Sequence, residues 1–369
     1  MNWIRKSAYV VGVNLLVLLA LVSAVAILPP LIKDVSTGVK SVYRTVFPSK
    51  AKSGRRAALP VYDKYSWASK HFAEQSQTIT VYHDHIGWRR GAFRGATITV
   101  DADGYRRHDT SRDFRSADVW FFGGSTTWGT GVLDSMTIPA YFQKETSLGT
   151  FNFGESSYTA HQSLNMLMKA YLSGGRPRYV VFYDGVNEVL SKCRREHGFY
   201  SSAQEARIRE RLESGGDAAS SLYRMLSPTI EILQAPFRKS SVGKQGYDCD
   251  SNDAKAKLIA RTLVYDWRIA KKIVEDNGGV FVPVLQPVAY LGRPNVSYLK
   301  KMHEDEALGR QYQVVYPLFK RLLSEAGFSY FDFTDLFDGD DQVYIDFCHV
   351  VPEGNERVVR KLTALLGAL

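Results

Sequence analysis

Phe121-Phe122-Gly123-Gly124-Ser125-Thr126-Thr127-Trp128-Gly129 is the stretch on which the fold turns. An apolar run from Val119 to Phe122 ends in two glycines, a serine and small polar residues. Such a run reads as a buried strand whose end turns tightly and delivers a hydroxyl where a helix starts. A serine so placed is a nucleophile or a helix cap. The surrounding chain decides between the two.

Downstream, apolar strands are expected at Thr150–Phe153, Tyr179–Tyr183, Val280–Leu285 and Ser329–Phe333. Helical patterns separate them, at Thr137–Thr146, Gln162–Leu172, Asp253–Asp276 and Gln311–Ala326, and Glu353–Leu366 closes the chain. Strands alternating with helices imply a parallel sheet covered on both faces. Functional residues in such a sheet gather at the carboxyl ends of its strands.

Four chain positions then stand out. Ser125 follows the first strand; Asn152-Phe153-Gly154-Glu155-Ser156 follows the second; Asp184-Gly185-Val186-Asn187-Glu188 follows the third; Asp346-Phe347-Cys348-His349 precedes the last helix. Only the fourth strand end offers nothing of this kind. Ser125 supplies a hydroxyl nucleophile, His349 a general base and Asp346 a carboxylate to hold the imidazole. The backbone N–H groups of Ser125 and Gly154, with the Asn187 amide, are candidate donors to a tetrahedral oxyanion. Each has a plainer alternative: Ser125 and Asp346 as helix caps, Gly154 as a turn residue, Asn187 as a loop residue bonding its own backbone. Asp184 and Glu188 flank Asn187 and are candidates for catalysis, but read better as surface charge or as groups holding the loop.

In order, these four stretches resemble the blocks of the SGNH (GDSL-like) hydrolases, over roughly residues 118 to 366. The first block departs from the common form, with Gly-Gly-Ser-Thr in place of Gly-Asp-Ser-Leu. The third reads Gly185-Val186-Asn187-Glu188 where Gly-x-Asn-Asp is commoner, and Asp346-x-x-His349 fits as it stands. The resemblance implies a flavodoxin-like three-layer α/β/α sandwich and a serine esterase mechanism without cofactor or metal. Ser125 is then nucleophile, His349 base, Asp346 its partner, and Gly154 and Asn187 oxyanion donors.

Upstream, residues 8–28 are apolar but for Asn14. At about 1.5 Å per residue they span about 32 Å, the thickness of a bilayer core, and Pro29-Pro30 end the helix. An uncleaved anchor over 1–32 is favoured over a signal peptide with Ala24-Val25-Ala26 at its cleavage site, because the apolar run continues past it. The net charge of +9 is concentrated here: residues 33–56 carry +6 and Arg5 with Lys6 carry +2, leaving +1 for the rest. A nearly neutral body argues against a nucleic-acid partner. The basic linker over 33–60 is either a solvated connector or a segment lying against anionic headgroups. Read literally, its charge would hold the body in the cytoplasm.

An N-terminal extension over 61–117 is expected to hold short strands at Ile79–Tyr82 and Ala96–Val100 with a turn at Asp101–Gly104. His83, Asp84 and His85 lack a further ligand at metal-site spacing and read as ordinary histidines. The main domain runs from 118 to 369, with an insert at 190–252 that reads as a lid or substrate wall. Cys193 and Cys249 lie near its two ends, so a disulfide would pin its base, by about 4 kcal/mol in the chain-entropy model. Cys348 reads as an inward-packing thiol. A disulfide would require an oxidising compartment, which outweighs the charge rule and puts the body outside the cytoplasm. Trp88, Trp128, Tyr158 and Tyr290 are candidate stacking surfaces or core.

The expected function is a membrane-anchored serine esterase in the periplasm or cell exterior, removing O-acetyl groups from an acylated envelope glycan. Transfer of the acyl group to a glycan hydroxyl, with a membrane acyl-transfer partner, is the alternative. A catalytically silent glycan-binding or scaffold subunit is the non-enzymatic one.

Overall fold

The computed structural model describes residues 55–195, 246–299, 305–339 and 341–367. The apolar segment 8–28, residues 33–54 of the basic linker and the bulk of the insert lie outside these residues. No helix among the described residues is long and apolar enough to cross a membrane.

In chain order, α1 (Ala68–Gln77) leads to two antiparallel hairpins, β1 (Thr80–His83) with β2 (Gly87–Arg90) and β3 (Phe93–Arg94) with β4 (Thr99–Val100). The α/β part follows as β5 (Val119–Gly123), α2 (Ser125–Trp128), α3 (Ile138–Thr146), β6 (Thr150–Asn152), α4 (Ala160–Leu172), β7 (Tyr179–Asp184) and α5 (Val186–Lys192). It continues through α6 (Asp253–Asp276), β8 (Val280–Leu285), α7 (Glu306–Glu325), β9 (Phe331–Asp332) and α8 (Pro352–Leu366).

The five strands β6-β5-β7-β8-β9 pair in that order and all run parallel. This is the doubly wound order of flavodoxin-like folds, and the winding reverses between β5 and β7. Alternation along the strands makes the two faces. Trp120, Phe122, Val180 and Phe182 enter a core with Leu164 and Leu167 of α4, Leu263 and Trp267 of α6, and Tyr312 and Phe319 of α7. Val119, Phe121, Val181 and Tyr183 face the other way, against Ile138 and Phe142 of α3 and Val358 and Leu362 of α8. Fully burying such a side chain is worth about 1.5–3 kcal/mol, so the continuously apolar strands can only be central ones.

Caps set several helix starts. The Asn252 side chain accepts from Lys255 N at 3.1 Å to begin α6, and Asp305 accepts from Leu308 N at 3.2 Å to begin α7. The Asp305 cap starts α7 earlier than the expected Gln311, because its charged first turn carries a cap instead of an apolar period. The N-terminal extension is stitched to the sheet. Tyr62 Oη donates to Gly131 O and Trp88 Nε1 donates to Ser156 O, while within the extension Glu74 accepts from the N–H groups of Ala96 and Thr97. The expected turn closes with Gly104 N donating to Asp101 O. At the base of the insert Cys193 and Cys249 form a disulfide, and Arg195 N donates to Gly246 O beside it.

Candidate active site

The glycines ending β5 are dictated by what crowds them. Gly123 has φ +147°, and a Cβ there would lie 2.5 Å from Tyr183 O. At Gly124 a Cβ would sit 2.3 Å from Asn187 Nδ2. The approach of Asn187 leaves no room for the aspartate common at this place. Ser125 then opens α2 at the point where the sheet's winding reverses.

A tight turn between Ile345 and His349, closed by Ile345 N donating to His349 O, brings the distant partners in. His349 Nε2 lies 2.7 Å from Ser125 Oγ. His349 Nδ1 lies 2.8 Å from Asp346 Oδ2 and 2.9 Å from Oδ1. The same Oδ1 accepts from the backbone N–H groups of Cys348 and His349, at 3.0 and 2.9 Å. With Nδ1–H donating to Asp346, Nε2 is left to accept the Ser125 hydroxyl proton. Burial pushes the Asp346 carboxyl up, but the His349 charge, the hydrogen bonds and the Arg56 guanidinium outweigh it. The carboxyl therefore sits well below the usual carboxylate range. Arg56 Nη2 donates to Asp346 Oδ2 at 2.6 Å, a partner that the sequence reading placed in a solvated or headgroup-bound linker.

Asp346, Cys348 and His349 present metal-type donor atoms within 4.8 Å of one another. Their lone pairs are nevertheless engaged: the carboxylate by three N–H donors and Arg56, and the imidazole by Asp346 and Ser125. Burial, followed by the Asp346 charge, pushes the Cys348 thiol up. That keeps it protonated and, as expected, inward-packing.

The oxyanion side differs in part from expectation. Asn187 Nδ2 donates one proton to Tyr158 O at 2.8 Å, and an amide has a second. The Gly154 N–H, in contrast, is taken up by Asn152 Oδ1 at 2.9 Å. A Cβ at Gly154 would meet Trp128 N at 2.6 Å and Thr127 Cβ at 2.8 Å, so its role is to let this loop close on α2. That corrects its assignment as a donor. Three residues on, Ser157 holds φ +68°, and its N–H has no acceptor among the described residues. It directly precedes Tyr158, whose carbonyl touches the Asn187 amide, so Ser157 is the loop's open donor beside Asn187. Serine gives little sequence signal for a left-handed backbone, so only the φ angle reveals it.

Asp184 and Glu188 are both buried, at 3% exposure, and so are not surface charge; they hold the loop. Glu188 accepts from Gly185 N and Ala160 N, at 3.0 and 2.6 Å. Asp184 accepts from Trp267 Nε1 at 3.0 Å. Burial, followed by the neighbouring Glu188 charge, pushes the Asp184 carboxyl well up. The fourth strand also contributes a group the sequence reading passed over. Gln286, at the end of β8, is buried and its Oε1 lies 3.4 Å from Thr126 Oγ1. Trp88, Trp128 and Tyr158 belong to the core. Tyr290 is partly exposed and stacks on Phe347 at 6.2 Å.

No family model matches the chain, and no curated protein matches it. Among solved structures it is similar to a member of the lipolytic protein G-D-S-L family from Veillonella parvula DSM 2008, with 14% identity and TM-score 0.40, covering 68% of this chain and 98% of that one. It is also similar to the acetyl xylan esterase AlAXEase, with 12% identity and TM-score 0.39, covering 67% and 98%. A third is a carbohydrate acetylesterase family member from Sinorhizobium meliloti, with 15% identity and TM-score 0.34, covering 67% and 96%. At these scores the likenesses carry no functional argument, which is left to the site itself.

Proposed function

We propose that this protein is a serine esterase of the SGNH type that removes O-acetyl or similar acyl groups from a cell-envelope glycan. The observation that carries the reading is the continuous contact Asp346–His349–Ser125, with Ser125 Oγ 2.7 Å from His349 Nε2. Ser125 Oγ attacks the ester carbonyl while its proton passes to His349 Nε2, and Asp346 stabilises the imidazolium. The negative oxygen is received by the Ser125 and Ser157 N–H groups and the free proton of the Asn187 amide. Collapse breaks the carbonyl–alkoxide bond, and His349 returns the proton to the departing glycan oxygen. Water, deprotonated by His349, then attacks the acyl-Ser125 and releases the carboxylic acid and the free serine.

The same acyl-Ser125 handed to a glycan hydroxyl would make the protein a transferase with a membrane acyl donor. Anchoring through residues 8–28 and a body outside the cytoplasm complete the proposal. The Cys193–Cys249 disulfide supports an oxidising compartment.

The test is 4-nitrophenyl acetate turnover by the full chain, with and without glycan acceptors, against Ser125→Ala. Ser125-dependent release of acetate is expected, and acetylated acceptor would identify transfer. A folded wild type no faster than Ser125→Ala would leave the scaffold alternative standing.

A further inference from the structure

We propose that Arg56, from the last turn of the basic stretch before the folded body, is a positioning residue for the catalytic carboxylate, so that the proton relay is complete only with this segment in place. The inference rests on the esterase reading above. Arg56 reaches Asp346 across 290 positions of sequence, and its guanidinium takes the outer side of Oδ2, whose inner side faces His349 Nδ1. With Oδ1 held by two backbone N–H groups, Arg56 closes the remaining direction in which the carboxylate could swing.

The anchorage of the segment is independent of that contact. Tyr62 Oη donates to Gly131 O, and a Cβ at Gly131 would lie 2.5 Å from Ile345 Cδ1 and 2.6 Å from Tyr62 Oη. The segment therefore packs against both the loop after α2 and the residue preceding Asp346. Lys64 and Tyr65 also donate to Glu353, in the first turn of α8.

The charge has a direction of effect. Tyr62 and Tyr290 face the carboxylate, Cys348 lies beside the imidazole, Ser125 meets Nε2, and Tyr183 lines the hollow next to His349. None of these is a cation. The guanidinium is therefore the cation set against the Asp346 carboxylate, and its charge favours the ionised form that holds His349. Its side chain is 39% exposed, so salt screens part of this effect.

The test is the split between kcat and KM for the full chain, comparing wild type, Arg56→Gln and Arg56→Lys, with Ser125→Ala as control and melting temperatures alongside. Arg56→Gln is expected to lower kcat by about 3- to 10-fold by loosening the carboxylate that holds the imidazole. The loss should fall on kcat more than on KM. Arg56→Lys should restore most of the loss, since a lysine supplies the charge without the fork. On an Asp346→Asn background Arg56→Gln should do nothing further. A Ser125-dependent enzyme whose kcat ignores Arg56→Gln overturns the inference alone, as does an equal loss in Arg56→Lys accompanied by a lower melting temperature. A wild type that turns over no faster than Ser125→Ala overturns it together with the esterase reading.

Discussion

The two halves of the site are built in opposite ways. The acid–base pair of the proposed proton relay lies within one four-residue turn, Asp346 to His349, whose own backbone N–H groups aim the carboxylate at the imidazole, and only Ser125 comes from elsewhere. The oxyanion corner has no local unit. Gly124, the loop at Ser157 and Tyr158, and Asn187 come from three strand ends, and only the sheet order brings them together. A local device survives small shifts of its surroundings, whereas an assembled one fails if any loop moves by an ångström.

That contrast can be broken experimentally. The largest effect should come from the relay. Ser125→Ala or His349→Ala should cut kcat by about 10⁴-fold or more with folding intact, measured by ester turnover and circular dichroism. In the assembled corner, Asn187→Ala should cost about 100- to 1000-fold in kcat. Gly124→Ala should approach that loss, because its Cβ would displace the Asn187 amide from 2.3 Å. Ser157→Gly should keep activity within about 3-fold, since glycine adopts a φ of +68° freely and retains the N–H. A Gly124→Ala variant with full activity would show that the corner is not packed as described.

Smaller effects should appear in stability. The Asp346 carboxyl is depressed in the folded protein, so its contribution is present above the unfolded value near 4 and is lost as pH falls below it. Acid melts of wild type and Asp346→Asn should therefore draw together as pH falls from about 4 towards the depressed folded value. Asp184 has the reverse sign. Its carboxyl is raised on folding, so the folded state loses stability as pH rises from about 4 towards that raised value. Asp184→Asn should melt at or above the wild-type temperature at pH 8, with the advantage gone near pH 4. A lower melting temperature at both pH values would mean that the Trp267 contact needs the carboxylate itself.

The same contrast separates what could be read from sequence from what could not. The sheet was legible because Val119–Phe122, Tyr179–Tyr183 and Val280–Leu285 are apolar on both faces and have helices between them. Asp-x-x-His was legible because its geometry is nearly all local. The oxyanion loop was read one turn too early. Gly154 looks like the donor by residue type, but the left-handed backbone and the open N–H fall at Ser157. Arg56 was hidden among seven basic residues of a linker, and nothing nearby announces a partner 290 positions away. Gln286 was missed because an amide after an apolar strand has no pattern of its own.

The central claim, that Ser125 is an activated nucleophile, is tested most directly by labelling the folded protein with a fluorophosphonate and mapping the modified peptide by mass spectrometry. A single adduct on Ser125, formed quickly in wild type and at least about 100-fold more slowly in His349→Ala, is the predicted result. No adduct, or an adduct on Cys348, would contradict it.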